Sequence, residues 1–225
     1  MLTVLDHLPQ GLLDLEAQEL WQILPQPALI HLTGLNKSVL FISVLLHGNE
    51  TTGWLAVRQL LRHYGNAPLP RSISLFIGNV VSARHRLRRL DSQTDLNRIW
   101  DKNCQAVEAV IARGVMAEMT KRALFACIDI HNNTGRNPYY SCLSCLDPPF
   151  LDLARPFSSI VLYYPPRVSA PLLINAFSKF CPAVLLESGQ PDRPEGTAHV
   201  LQYLEQILAD NFASTCWDRN NLLHQ

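Results

Sequence analysis

The sequence lacks an excess of charge of either sign. Its 225 residues contain 19 lysine and arginine residues and 19 aspartate and glutamate residues, so the formal net charge is zero. Binding to nucleic acid or to an anionic membrane surface relies on a positive field. We therefore expect neither partner for this chain, and any electrostatic function must come from local clusters of charge.

The sequence also lacks a long uninterrupted apolar run. The run at residues 39–46 is one of the longest, and it is too short to span a bilayer. The first 20 residues contain neither the basic segment nor the continuous apolar segment of a signal peptide. Without a secretion signal, the six cysteines are expected to be reduced thiols, and the expected location is the cytoplasm.

Internal repeats, low-complexity tracts and Gly/Ser-rich linkers are absent as well, so nothing in the sequence divides the chain. The composition is that of an ordinary globular protein, with 48% hydrophobic and 17% charged residues. A chain of this length buries roughly 70% of its unfolded surface and needs no disulfides or metals to fold. We expect a single domain over residues 1–225.

What the sequence does contain is an alternation of short apolar, β-branched runs with longer amphipathic ones. This alternation predicts an α/β protein with a layered sheet covered by helices on both faces, and functional residues at the strand ends. Strands are predicted at residues 28–33, 39–46, 72–77, 124–130, 160–164 and 183–187. Helices are predicted at residues 13–24, 51–64, 104–121, 170–180 and 197–213.

One segment, residues 78–100, breaks the alternation. It is rich in arginine and has little apolar periodicity. A long irregular stretch inside a compact domain is more often functional than accidental.

The first motif that carries chemistry is His47-Gly48-Asn49-Glu50. His47 ends a buried-looking strand and Glu50 enters the first turn of the next helix, which lets an imidazole nitrogen and a carboxylate converge on one point. Gly48 tolerates a backbone geometry that a bulkier residue resists. Taken alone, the motif is better explained by a Glu at a helix N-terminus beside a surface His.

The second motif is Asp129-Ile130-His131, at the end of another apolar strand. Asp129 and His131 point to the same side of the strand, where they are costly to bury without partners. Alone, His131 is best interpreted as a buried histidine satisfied by hydrogen bonds. Together with His47 and Glu50, however, it completes two imidazoles and one carboxylate, the ligand set of catalytic zinc sites with a fourth position for water.

The third element is Glu187, which ends the apolar strand at residues 183–187. In a partly dry cleft its pKa would rise into the range useful for a general base. Taken alone, Glu187 is better interpreted as an ordinary strand-terminal Glu that reaches water.

The four motifs HGNE, DLNR, DIH and LLESG occur in the order seen in zinc carboxypeptidases. Over residues 40–190, the sequence most closely resembles the succinylglutamate desuccinylase/aspartoacylase branch of that superfamily. The resemblance implies a three-layer α/β/α fold with a central mixed β-sheet. It also implies one Zn²⁺ per chain, held by His47, Glu50 and His131.

The resemblance implies further roles at the same site. Asp95 orients His47, and Asn97 and Arg98 grip a substrate carboxylate. Glu187 activates the water as the general base and acid. The family arginine that stabilises the oxyanion aligns with Leu90, beside two arginines, and we favour Arg89 on the assumption of a one-residue insertion.

The function implied is zinc-dependent hydrolysis of an amide, by a metallopeptidase or an N-acyl-amino-acid deacylase. Its substrate would be a small molecule or short peptide that carries a carboxylate. One alternative is a non-catalytic module of the same fold that binds zinc and carboxylates. The other is a metal-free α/β binding protein whose motifs coincide by chance.

Two expectations concern how the site is completed. Related deacylases carry a C-terminal β-rich domain that helps to close the active site, and this chain is expected to lack that domain. Its cleft is then either more open or covered by another subunit, which leaves a homo-oligomer as one arrangement. Carboxypeptidases also use a mobile tyrosine, and the sequence does not choose among Tyr139, Tyr140, Tyr163 and Tyr164.

Overall fold

A computed structural model describes residues 1–165 and 171–209 and contains one mixed sheet of eight strands. The strands are β1 (Thr3–Leu5), β2 (Ala28–Leu32), β3 (Gly34–Val44), β4 (Leu69–Ile77), β5 (Leu124–His131), β6 (Tyr140–Leu143), β7 (Val161–Tyr163) and β8 (Ala183–Glu187). The helices are α1 (Thr52–Tyr64), α2 (Val80–Ala83), α3 (Ala109–Met119), α4 (Pro148–Ala154), α5 (Leu173–Phe177) and α6 (Pro194–Ala209). Short 3₁₀ turns lie at Leu12–Asp14, Ala17–Gln22 and Leu96–Arg98.

The sheet has the order β1-β2-β4-β3-β5-β8-β6-β7. Strands β4, β3, β5 and β8 run parallel to their neighbours, whereas β2 and β6 pair antiparallel with β4 and β8. The central strands are buried along most of their length, which explains their nearly continuous apolar sequences.

Helices cover both faces of this sheet. A Cβ on Gly53 of α1 would lie 3.0 Å from the Val44 side chain, while the ring of Phe177 in α5 stacks on Phe41 at 4.3 Å. Phe41 and Val44 are three residues apart on β3 and therefore point to opposite faces. The two helices thus lie on opposite sides of the sheet, which confirms the three-layer α/β/α prediction.

The strand register brings the chemistry-bearing residues to one place. His131 of β5 is opposite Glu187 of parallel β8, and Glu187 is in turn opposite Tyr140 of antiparallel β6. Residues that are opposite one another in a sheet share a face. Their side chains therefore meet at the carboxyl edge of β5 and β8, on the face that α5 covers.

The differences from the predicted elements have local causes. The predicted helix at residues 13–24 is two 3₁₀ turns, because Glu16 and Glu19 form a capping box that starts a second turn within the segment. The last helix begins at Pro194 rather than at residue 197, since proline is well suited to a first helical turn. Strands β1 and β6 and helices α2 and α4 were not predicted. Residues 170 and 210–213 of two predicted helices lie outside the described residues.

Within the described residues, no helix combines the length and the apolarity needed to cross a bilayer.

Candidate metal centre

The turn after β3 places His47 and Glu50. Leu45 has a φ of 55°, which turns the chain sharply as the strand ends. A Cβ on Gly48 would lie 2.3 Å from the backbone nitrogen of Ala83, so the backbone of α2 approaches too closely for any side chain. Glycine is therefore required at position 48 for close approach rather than for an unusual dihedral angle.

His47, Glu50 and His131 converge in this buried corner. His47 Nδ1 lies 2.8 Å from Glu50 Oε1, and His131 Nδ1 lies 2.8 Å from Glu50 Oε2. One ligand atom from each residue lies within 4.8 Å of the others, and all three residues are at most 5% exposed. The structure therefore brings together the three residues that were predicted from the sequence to form a metal site.

The donor set fits a zinc ion. Two imidazole nitrogens and one carboxylate are the protein ligands of catalytic zinc sites. His47 Nδ1 is buried and makes no hydrogen bond, although a carboxylate oxygen lies 2.8 Å away. A cation shared by the two atoms would satisfy both of them.

Two further carboxylates orient the imidazoles. Asp95 Oδ1 lies 2.9 Å from His47 Nε2, and Asp129 Oδ2 lies 2.9 Å from His131 Nε2. When each Nε2–H donates to its carboxylate, both Nδ1 lone pairs remain for a metal. The expected contact of Asp95 with His47 is present in the structure, whereas the role of Asp129 was missed because the sequence pattern supplied no partner for it.

The charges in this corner stabilise one another. Burial favours protonated Glu50, but the two histidines outweigh burial and lower its pKa to about 2. Burial likewise opposes a charge on His131, yet Asp129 and Glu50 raise its pKa well above the ordinary value. For Asp95, hydrogen bonds and the charges of His47 and Arg88 outweigh burial and lower the pKa. The corner therefore favours ionised carboxylates next to positively charged groups, an arrangement in which a bound cation would also be stabilised.

The backbone that follows the second motif also holds Glu50 in place. The Asn132 N–H donates to Glu50 Oε2 at 3.1 Å, and the Asn132 side chain ties Thr52 to Gly189. This residue was not found from the sequence, because its contacts join segments about 80 and 57 residues away. The sequence shows two consecutive asparagines after the DIH motif, but it does not indicate which residues they contact.

Glu187 lies beside the three-residue group. Burial is the main cause of its raised pKa, with the charge of Glu50 acting in the same direction and that of His131 against it. Asn133 Nδ2 donates to Glu187 Oε2 at 3.3 Å. The position and the raised pKa both suit a general base.

The preference for Arg89 over Arg88 does not agree with the structure. Arg89 Nη1 donates to backbone carbonyl oxygens of its own loop, including that of Gln93 at 2.9 Å. Arg88 instead donates to Glu50 Oε1 and to Asp95 Oδ2, each at 3.0 Å. The Arg88 carbonyl also accepts a hydrogen bond from the Gly48 N–H, which fixes the loop so that residue 88 faces the site.

Asn97 and Arg98 line one cavity together with the three-residue metal group, but the two side chains have different environments. Asn97 is buried, with Nδ2 3.1 Å from His131 Nε2 and Oδ1 accepting the Leu173 N–H at 2.9 Å. Arg98 is exposed, and its Nη1 donates a hydrogen bond to the Asn97 carbonyl oxygen at 2.7 Å. Arg98 is therefore the better placed of the two to receive a carboxylate, and the role of Asn97 in substrate binding remains a prediction.

A cavity of about 270 Å³ is lined by the three-residue metal group together with Glu187, Arg88, Asn97 and Arg98. Of the four tyrosines that the sequence left open, Tyr140 and Tyr164 line this cavity. Tyr139 instead stacks on His199 of α6, with the ring centroids 4.6 Å apart, and Tyr163 is 53% exposed at the edge of the sheet. Two of the four tyrosines thus remain candidates.

The fold and the site together define an α/β domain with a candidate metal centre at the carboxyl edge of a mixed sheet. The chain belongs to the family of succinylglutamate desuccinylase/aspartoacylase catalytic domains, whose sequence model matches residues 37–158. No curated protein matches the chain.

Solved structures resemble this fold at low sequence identity. The succinylglutamate desuccinylase of Chromobacterium violaceum is 18% identical with a TM-score of 0.64, over 78% of this chain and 64% of that one. The succinylglutamate desuccinylase of Vibrio parahaemolyticus is 15% identical with a TM-score of 0.63, over 80% of this chain and 68% of that one. A metallo-carboxypeptidase of Burkholderia cenocepacia is 17% identical with a TM-score of 0.61, over 83% of this chain and 65% of that one. The chain thus spans about two thirds of the length of these proteins.

Proposed function

We propose that the chain is a zinc-dependent amide hydrolase, of the carboxypeptidase or N-acyl-amino-acid deacylase type. Its substrate is a small molecule or short peptide that carries a carboxylate. The observation that carries this proposal is the convergence of His47, Glu50 and His131 within 4.8 Å, with Glu187 opposite His131 in the sheet.

The chain's own residues divide the work. A zinc ion in this site would polarise the amide carbonyl and acidify a water molecule. Glu187, whose pKa is raised by burial, takes a proton from the attacking water and returns it to the leaving amine. Arg98 binds the substrate carboxylate through its exposed guanidinium, and Arg88 places positive charge beside the developing oxyanion.

Zinc content tests the metal centre. We expect about one zinc per chain in the purified protein and a large loss in His47→Ala, since that variant removes one of three ligands. His63→Ala, which alters an exposed histidine of α1, is the matched control and should keep its zinc. A wild-type protein that binds no zinc, even when zinc is supplied, would refute the proposal.

Turnover separates a hydrolase from a module that only binds zinc and carboxylates. We expect Glu187→Gln to keep zinc and to lose hydrolysis of N-acetyl amino acids, N-succinyl amino acids and dipeptides. Glu195→Gln, at an exposed position of α6, controls for the loss of a charge. Comparison of the acylated amino acids with the dipeptides distinguishes deacylase from carboxypeptidase action. Undiminished turnover in Glu187→Gln would contradict the role given to Glu187.

A further inference from the structure

The residues that line the cavity at the metal centre include two chemically different groups. One group comprises the three-residue metal group, the two arginines and Glu187. The other group has uncharged side chains, and we call it the apolar wall: Tyr140, Cys142, Leu162, Tyr164, Leu172 and Leu185.

The apolar wall is uncharged at neutral pH. Burial is the main cause that raises the pKa of the Tyr140 hydroxyl to about 12, and burial likewise raises the pKa of the Cys142 thiol to about 12. Cys142 is opposite Leu185 in the sheet, two residues before Glu187 on the same strand, so the wall continues the face that carries the general base.

Few positively charged side chains are found among the described residues that line the cavity. Apart from the histidines of the metal group, the cations among its described lining residues are Arg88 and Arg98. Arg88 is held by Glu50 and Asp95, each at 3.0 Å, whereas Arg98 makes no ion pair within the described residues. Among the described lining residues, one cation therefore remains for one substrate carboxylate. A second carboxylate against the apolar wall would lose part of its hydration without a described cation beside it, which is costly.

The apolar wall also begins next to Arg98. Leu173 N–H donates to Asn97 Oδ1, and this bond brings Leu172 beside the segment that carries Arg98. A carboxylate held by Arg98 and an apolar group attached to the same Cα would both be accommodated there. The small volume, about 270 Å³, suits a group of amino-acid size.

Building on the proposed function, we infer that the amine released by the enzyme is an amino acid with a single carboxylate and an apolar side chain, which lies against the apolar wall. Acidic amino acids are disfavoured. This assigns the residues of the wall, Leu162 and Leu185 among them, as determinants of specificity.

Two isosteric substrates test the inference on the zinc-loaded full chain. N-acetyl-L-leucine and N-acetyl-L-aspartate share the acyl group and have side chains of the same branched shape. We expect kcat/KM to be at least ~10-fold higher for the leucine compound, since small apolar differences in such pockets already give about 10-fold or more. A preference for the aspartate compound would overturn the inference while leaving the hydrolase proposal intact.

A charge introduced on the wall provides the second arm. Leu162 is 47% exposed on edge strand β7, so Leu162→Arg is compatible with folding and places a cation at the cavity. We expect this variant to lower the leucine-to-aspartate ratio of kcat/KM at least ~10-fold. Leu146→Arg, at a residue 49% exposed and outside the cavity, is the matched control and should keep the wild-type ratio. Equal ratios in the two variants would refute the assignment of the wall.

Binding separates this inference from the proposed function. If the zinc-loaded protein hydrolyses neither these two compounds nor any N-succinyl amino acid or dipeptide, the proposed function fails. Calorimetric titration of zinc-loaded Glu187→Gln with the two compounds then still decides the inference. Tighter binding of N-acetyl-L-leucine supports the apolar wall as a ligand site, and equal or tighter binding of N-acetyl-L-aspartate overturns it.

Discussion

Replacing Asp129 by Asn isolates the contribution of a buried carboxylate to the metal centre. Asp129 is completely buried at the end of β5, and its Oδ2 lies 2.9 Å from His131 Nε2. Asparagine has the same shape and keeps an oxygen for the imidazole N–H, so the ring remains oriented. The change therefore removes mainly the negative charge that makes His131 a stronger ligand.

The size of the effect follows from the surroundings of the carboxylate. Loss of a carboxylate that supports a ligand histidine typically weakens metal binding by about 10- to 100-fold, or about 1.4–2.8 kcal/mol. We place Asp129→Asn near 100-fold, because no solvent screens this charge. Asp95→Asn should lie near 10-fold, since the Asp95 side chain is 18% exposed and Arg88 already neutralises part of its charge.

Competition with a chromogenic zinc chelator measures both affinities. The control is Asp152→Asn, at an exposed side chain of α4 that pairs with Arg155 on the surface. It should bind zinc as the wild type does. Equal zinc affinities of Asp129→Asn and the control, or a larger loss in Asp95→Asn than in Asp129→Asn, would refute the reasoning from burial.

Three further predictions follow from individual contacts. The acid limb of the pH profile of kcat/KM should lie above pH 4.5, the ordinary pKa of a glutamate, because activity is lost as Glu187 is protonated. In Asn133→Ala this limb should move to higher pH, since the variant removes a hydrogen bond that lowers the pKa of Glu187. The free energy of unfolding measured with urea should decline as the pH falls from 6.5 toward 4. Burial, aided by the charge of Arg122, lowers the pKa of His31 in the folded state to about 4, so the unfolded state binds the proton first. His31→Gln should lack this part of the decline. Gly48→Ala should lower the free energy of unfolding by about 1–3 kcal/mol or more and weaken zinc binding, because the new Cβ would lie 2.3 Å from a backbone atom. Gly114→Ala is the control and should be close to neutral, since the nearest neighbour of its Cβ is the Leu2 side chain at 3.1 Å.

The residues of the candidate metal group could be predicted because each lies at or just after the end of a strand with a strong apolar pattern. Such strands fix where the chain leaves the sheet, so His47 and His131 had to lie at one edge. Arg88 and Arg89 show the opposite case. Both are exposed in an irregular loop, and periodicity offers no way to choose between them. The choice depends on the hydrogen bond from the Gly48 N–H to the Arg88 carbonyl, which joins positions 40 residues apart.

The N-terminal 3₁₀ turns and strand β6 escaped prediction for a related reason. The segment at residues 13–24 has helical periodicity, but its turns are fixed by tertiary contacts, such as the bond from Trp54 Nε1 to the Leu15 carbonyl at 3.0 Å. Strand β6 is only four residues long, and it exists because β8 offers an edge to pair with. Local propensity is a weak guide where a neighbouring element decides the conformation.

The register of β5, β8 and β6 holds Glu187 beside the metal group. A shift of β8 by one residue would move Glu187 to the opposite face of the sheet, away from that group. Buried apolar strands resist such a shift, whatever their individual side chains, because it would expose Leu186 and bury a carboxylate among the helices of the other layer. The many apolar substitutions that keep strand pairing are therefore compatible with one site, provided that the few polar residues at the strand ends stay in place.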